Sequence, residues 1–207
     1  MNITNADLSK KYDDYYKENP NKWDTVDRDK FCFDIMGKYK FKNILDVGCG
    51  NGHLLKYFFN HYREAVGYAG VDLSPVACDL ARGKVPSADI HLGVLGEVEF
   101  DDQFEAVVLL GVIEHLDMED MNHTKSLAAI RNLMSPGGVL YIEAPNCIAY
   151  KKSEHFEGFR QLNQGSRQFE WHLFRPTWEK IFKEAGFEIV ESIKSPVIQW
   201  EFIWVLK

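Results

Sequence analysis

The run Asn43-Ile44-Leu45-Asp46-Val47 leads directly into Gly48-Cys49-Gly50-Asn51-Gly52. The residues that follow, His53 to about Arg63, place Leu54, Leu55, Phe58 and Phe59 at helical spacing. A short apolar run of this kind predicts a buried parallel strand, and the alternate glycines predict a sharp turn into the helix. The pattern then repeats. Tyr68–Asp72 predicts a second strand, and Ser74-Pro75 starts a helix to about Lys84, with Ser74 as its cap. Ala88–Leu92 is a short third strand and Phe104–Leu110 a strong fourth. A helix is expected over Asp120–Leu133, a turn at Ser135-Pro136-Gly137-Gly138, and a fifth strand over Val139–Glu143. A last helix begins at Thr177 and ends at Gly186, followed by strands over Phe187–Ile193 and Gln199–Leu206. Strands alternating with helices imply an α/β fold, a Rossmann-like doubly wound sheet covered on both faces. The final strand pair, joined by a short connection, is antiparallel. The expectation is seven strands, mostly parallel, with an antiparallel strand at the carboxyl-terminal edge.

Two segments stand outside that alternation. Residues 1–40 are rich in Tyr, Asp, Lys and Asn and are broken by Asn19-Pro20-Asn21, which predicts two helices acting as a cap. In the second, Val26, Phe31, Phe33 and Ile35 form an imperfect apolar face. Residues 146–172 have no clear period, and a loop that long in a compact domain is usually functional. We therefore expect one domain, 1–207, with an acceptor-site insertion or lid over 146–175.

Composition narrows the partners. A formal net charge of −7 makes the chain a poor match for nucleic-acid phosphates or an anionic membrane surface. The cysteines Cys32, Cys49, Cys78 and Cys147 are widely spaced and suggest neither a disulfide framework nor a zinc site. No apolar run is long enough to cross a bilayer, and the first residues are polar and charged. A cytoplasmic protein acting on a small molecule is the expectation, with a homodimer left open.

The glycine turn aims the free N–H groups of the following helix at a space where a ligand can approach the backbone closely. By itself that is also compatible with a tight turn holding no ligand. Asp46 adds to it, because a carboxylate at the end of a buried strand is costly unless paired or hydrogen-bonded. Asp72 ends the second strand about twenty residues after the glycines, where a carboxylate can accept hydrogen bonds from both ribose hydroxyls of an adenosine. The competing role for Asp72, helix capping, is already filled by Ser74.

Asp46-Val-Gly-Cys-Gly-Asn-Gly52, Gly70-Val-Asp-Leu-Ser74, Phe104–Leu110 with Glu114-His115, and Leu133-Met-Ser-Pro-Gly-Gly138 together resemble the ordered motifs of class I S-adenosylmethionine-dependent methyltransferases. The resemblance extends more loosely to His172–Trp178 and Glu184–Phe187, which are similar to the ubiquinone-biosynthesis O-methyltransferase subgroup of small-molecule and sugar methyltransferases. It implies that Asp46 and the loop Gly48, Cys49, Gly50 and Gly52 hold the methionine part of S-adenosylmethionine. Asp72 would hold the ribose, and Leu73 would pack on adenine. Val94 stands where the family often has an acid that contacts the adenine amine, so adenine would rest on the Val94 and Leu95 backbone. Leu110 and Gly111 would lie near the methyl group. From the amino-terminal segment, Tyr12, Tyr16 and Trp23 are candidates to cover the donor, or to serve packing alone. S-Adenosylhomocysteine is the implied product.

A histidine with a near-neutral pKa can take the proton from an oxygen or nitrogen acceptor. His115 is the first candidate base, or else a residue that orients its loop. His172 and His155 are further candidates in the long segment. Oxygen is expected ahead of nitrogen as the methylated atom. Glu143, Asn146 and Asp117 raise the question of a divalent metal, but they form no compact ligand set, and none is expected. Two alternatives stay open: a cofactor-binding scaffold without catalysis, and a nicotinamide-dinucleotide enzyme. The second is disfavoured because Gly48-x-Gly50-x-Gly52 brings the third glycine one residue early for the dinucleotide fingerprint.

Overall fold

The computed structural model describes residues 4–21, 25–116, 123–145, 158–161, 169–197 and 201–207. Its elements in chain order are α1 (Asn5–Glu18), α2 (Val26–Met36), β1 (Asn43–Val47), α3 (His53–His61), β2 (Gly67–Asp72), α4 (Pro75–Lys84), β3 (Asp89–Leu92) and β4 (Phe104–Leu110). A 3-10 turn (Ile113–His115) follows, then α5 (Thr124–Leu133), β5 (Met134–Pro145), β6 (Gly158–Gln161), β7 (Phe169–His172), α6 (Arg175–Glu184), β8 (Ile189–Lys194) and β9 (Glu201–Leu206).

Seven strands form one sheet in the order β3-β2-β1-β4-β5-β9-β8. The first five are mutually parallel. β9 runs antiparallel to both neighbours, β5 and β8. The antiparallel strand therefore lies one place in from the edge, and β8 forms the edge itself. The strand sequences explain that choice. Ile203, Trp204, Val205 and Leu206 are all fully buried, as an interior strand requires. β8 carries Glu191, Ser192 and Lys194, which suit an edge.

Strand alternation splits the core into two layers. Ile44, Ala106, Val108 and Tyr141 face Cys32, Ile35 and Met36 of α2, Leu54, Leu55 and Phe58 of α3, and Cys78 and Ala81 of α4. Leu45, Val107, Leu109 and Ile142 face Leu127 and Ile130 of α5 and Trp178 and Phe182 of α6. The buried stripe of α2 is thus Cys32, Ile35 and Met36, at i, i+3 and i+4, while Val26 is exposed. Of the face read from sequence, Ile35 is buried and Phe31 and Phe33 pack against the same layer, while Val26 lies outside it.

Some boundaries also differ. The Ser135–Gly138 turn sits inside β5 as an interruption of the ladder: Phe104 pairs with Met134, and the register resumes at Ala106 with Val139. α6 begins at Arg175, two residues early, with Pro176 in its first turn. α5 begins at Thr124; residues 117–122, where its expected start fell, lie outside the described residues. Within the aperiodic stretch 146–172, β6 and β7 form an antiparallel hairpin apart from the main sheet. Its strands are four residues each, too short for alternation to announce them. Among the described residues, no helix is long and apolar enough to cross a membrane.

Candidate functional site

The chain leaves β1 to build β2 and β3 on one side, then returns to place β4 and β5 on the other. That reversal opens a crevice at the carboxyl edge between β1 and β4, where ligands bind in open α/β sheets. The glycine loop lies there. Gly48 and Cys49 each donate their N–H to the Val71 carbonyl, at 2.7 and 3.1 Å, which folds the loop back over β2. Gly50 has φ +52°, and a Cβ placed on it would collide with the Tyr16 hydroxyl. Gly52, φ +77°, has a different neighbour: its Cβ would lie 2.8 Å from the Ala81 Cα of α4. Gly52 therefore brings α3 and α4 together, while Gly48 and Gly50 shape the cradle. The Cys49 side chain turns away into the core, against Gly70, so only its backbone belongs to the loop.

Two carboxylates end the flanking strands. Asp46 is buried and pairs in register with Gly70 and Val108. Burial, and then the charges of Asp29 and Asp72, push its carboxyl well above the usual carboxylate range. Asp72 accepts hydrogen bonds from Gly50 N–H and from Ser74 N–H, both at 2.9 Å. Burial raises its carboxyl too, against the lowering effect of those donors. A carboxylate offers about four lone-pair sites, so these donors leave room for a ligand hydroxyl. Leu73 and Ser74 continue the rim, and Gly93 donates its N–H to the Asp72 carbonyl at 3.0 Å. The Val94 carbonyl accepts from Glu97 and Val98, and Leu95 packs toward the α5–α6 core.

Helix α1 roofs this cradle. Ser9 donates its hydroxyl to the Leu73 carbonyl at 2.8 Å. Asp13 accepts from the Ser74 hydroxyl and from Val76 N–H. Tyr16 is buried over Gly50, and burial together with Asp72, Tyr12, Cys49 and Asp46 raises its hydroxyl pKa strongly. Asn51 reaches back to donate to the Pro20 carbonyl. Trp23 lies outside the described residues.

On the β4 side, Leu110 is partly buried and Gly111, φ +64°, donates its N–H to the Glu143 carbonyl at 3.0 Å. The 3-10 turn then presents His115, partly exposed, edge-on to Tyr12 with ring centroids 6.1 Å apart. The backbone of β7 runs beside that turn, and His172 is its last residue. His155, Asn146 and Asp117 lie outside the described residues. Glu143 is buried and accepts a hydrogen bond from Arg28 Nε at 2.8 Å. Among the described residues, no group of three or more His, Cys, Asp or Glu side chains is arranged to hold a metal ion.

Several participants were invisible in the sequence. Arg28, Asp29, His53, Ser9 and Asp13 reach the crevice from α1, α2 and the start of α3. Asp29 is buried and pairs with His53 Nδ1. One signal existed: Glu143 inside a buried strand demanded a cation, but nothing local said that it would come from Arg28.

The cradle gathers Asp46, Asp72 and Asp29, with Asp13 at its rim, and burial makes the negative charge of Asp46 and Asp72 costly. Such a site favours a ligand that carries positive charge and ribose hydroxyls, and repels a pyrophosphate. Comparisons with known proteins agree. The family described as Methyltransferase domain matches residues 17–192. The chain is 25% identical over 197 residues to a ubiquinone biosynthesis O-methyltransferase of Dinoroseobacter shibae, covering 84% of this chain and 73% of that protein. It is 29% identical over 103 residues to a dTDP-3-amino-3,4,6-trideoxy-alpha-D-glucopyranose N,N-dimethyltransferase of Streptomyces venezuelae, covering 49% of this chain and 41% of that one. Its fold is similar to an amino pentose methyltransferase of Micromonospora echinaspora, at TM-score 0.68 and 20% identity, over 94% and 95% of the two chains. The dinucleotide-enzyme reading is thereby set aside, and the chain belongs to the methyltransferase domain family.

Proposed function

We propose that this chain uses S-adenosylmethionine to methylate a hydroxyl of a small metabolite or sugar. The observation that carries the donor reading is the buried carboxylate set, Asp46 and Asp72, around a glycine loop of positive φ. When bound, S-adenosylmethionine supplies a methyl group already activated on a sulfonium centre. The chain's own work is to hold, orient and enclose. Asp46 and the Gly48 and Gly50 backbone would hold the methionine part, with its ammonium. Asp72 accepts from the ribose hydroxyls while Gly50 and Ser74 keep its carboxylate in place. Leu73 and the backbone of Val94 and Leu95 would flank the adenine, and Tyr16 closes the cradle from α1, excluding water. Leu110 and Gly111 would border the transfer position, where the chain's task is to align an acceptor. His115 accepts the acceptor's proton. His172, on the hairpin beside the same turn, and His155 remain candidates for lining the acceptor pocket.

Nitrogen is the second reading. The match to an amino-sugar N,N-dimethyltransferase and the fold likeness to an amino pentose methyltransferase favour it. Calorimetry with S-adenosylmethionine tests the donor claim: no binding at millimolar concentration, or binding undiminished in Asp72→Ala, overturns it. Mass spectrometry after incubation with catechols and with nucleotide-linked amino sugars then decides which atom gains the methyl. Turnover that survives His115→Ala unchanged removes His115 as the base.

A further inference from the structure

Four observations meet at the carboxyl end of β4 and β5, on the side of the crevice away from the Asp72 and Gly50 contacts. Glu143 follows Tyr141 on the α2-facing side of β5, is 1% exposed, and pairs in register with Leu110. Arg28, from the first turn of α2, donates Nε to it across 115 residues of sequence. The rest of the same guanidinium lies against Gly111: a Cβ placed there would stand 3.0 Å from Nη2, 3.6 Å from Nη1 and 3.4 Å from Glu114 Oε1. Glu114 is itself 3% exposed. The cation bonded to Glu143 thus shares Gly111 with a second buried carboxylate, Glu114, and Gly111 is also bonded by its N–H to the Glu143 carbonyl.

Packing alone does not call for this arrangement. A buried ion pair contributes little net stability over apolar side chains of the same volume, whereas its planar fork fixes geometry. What the fork holds is the start of the turn Ile113–His115, with β7 alongside and Tyr12 against the His115 ring.

Resting on the methyl-transfer reading, we infer that Arg28 is a positioning residue for the acceptor side. Its guanidinium, bonded to Glu143 and packed on Gly111 beside Glu114, sets where the His115 turn stands relative to the transfer position, without contributing to donor binding. The amino-terminal helical segment then serves both half-sites: α1 closes the donor cradle and α2 locks the acceptor turn.

The test replaces the pair by apolar side chains, Arg28→Met with Glu143→Leu, and reads three quantities in the full chain. These are the melting temperature, S-adenosylhomocysteine affinity by calorimetry, and the proton NMR contact between the Tyr12 ring and His115 Hε1, assigned with His115→Gln. The expected result is a folded protein whose S-adenosylhomocysteine affinity stays within about threefold of wild type, while the Tyr12–His115 contact is lost. Arg28→Lys, which keeps the charge and loses the fork, weakens the same contact and serves if the double variant does not fold. An unchanged contact in either folded variant overturns the proposal, as does a drop in affinity of more than about tenfold, which would place Arg28 on the donor side. Failure of the wild type to bind S-adenosylhomocysteine would instead defeat the donor reading and leave the NMR result standing on its own.

Discussion

Asp72 carries two loads at once. It fastens the glycine loop through Gly50 and the start of α4 through Ser74, both at 2.9 Å. Hydrogen bonds to a charged group are worth about 1.5–3 kcal/mol each. Asp72→Ala removes these two and the ribose acceptor together, so S-adenosylhomocysteine affinity should fall by at least about 100-fold in calorimetry. Asp46 is exposed to acid differently. Burial, Asp29 and Asp72 raise its carboxyl well above the usual range. A carboxyl raised on folding holds protons that the unfolded chain releases, so it stabilises the fold at low pH. That contribution is complete below the ordinary carboxylate value and is lost as pH rises through the raised folded value. In the ligand-free protein, Asp46→Asn should therefore gain melting temperature relative to wild type as pH is raised from about 4 to neutrality. A difference between the two proteins that does not change with pH would show that Asp46 ionises normally.

At the scale of elements, the glycines of one loop serve different partners. Gly52 sets the approach of α3 to α4 at Ala81. An L-residue at its φ of +77° costs about 1–2 kcal/mol before any clash is counted. Gly52→Ala should lower the melting temperature by several degrees, with S-adenosylhomocysteine affinity per folded molecule nearly kept. α1 behaves in the opposite way. It is held by polar latches at Leu73 and Ser74 and by the buried Leu8 and Tyr16, which belong to neither core layer. Asp13→Ala with Tyr16→Ala should release it. The sheet should then melt within a few degrees of wild type, while S-adenosylhomocysteine affinity drops about tenfold. Equal losses of both would mean that α1 is part of the folding core.

The whole molecule divides its labour across the sheet. The α2–α4 face carries Asp46, Glu143 and the loops of the site; the α5–α6 face carries packing. Trp178 is fully buried on that second face, stacks on Phe182, and donates Nε1–H to the Pro145 carbonyl at 3.2 Å. Trp178→Ala should cost about 3–5 kcal/mol in chemical denaturation, from the cavity and the lost bond. Binding of S-adenosylhomocysteine by the remaining folded protein should be unchanged, because the damage lies across the sheet from the donor cradle.

What could be read from the sequence alone was local. β1, β2, β4 and the core of β5 were legible because strands buried on both faces are continuous apolar runs. The glycine loop, Asp46 and Asp72 were legible because a turn and the residues at a strand's end are neighbours in the chain. Gly186 was legible as the stop of α6 for the same reason, and it takes φ +83°. The tertiary structure decided the rest, which depends on contacts between residues far apart in sequence. It placed β9 inside β8, assigned Arg28 to Glu143 and Asp29 to His53, and separated Gly52 from Gly50 by what each one touches. It also gave the aperiodic stretch its β6–β7 hairpin beside the His115 turn. A pattern of residue types can state that a buried charge needs a partner. Only the folding of α2 across the sheet edge, set by the burial of Cys32, Ile35 and Met36, determines which residue that partner is.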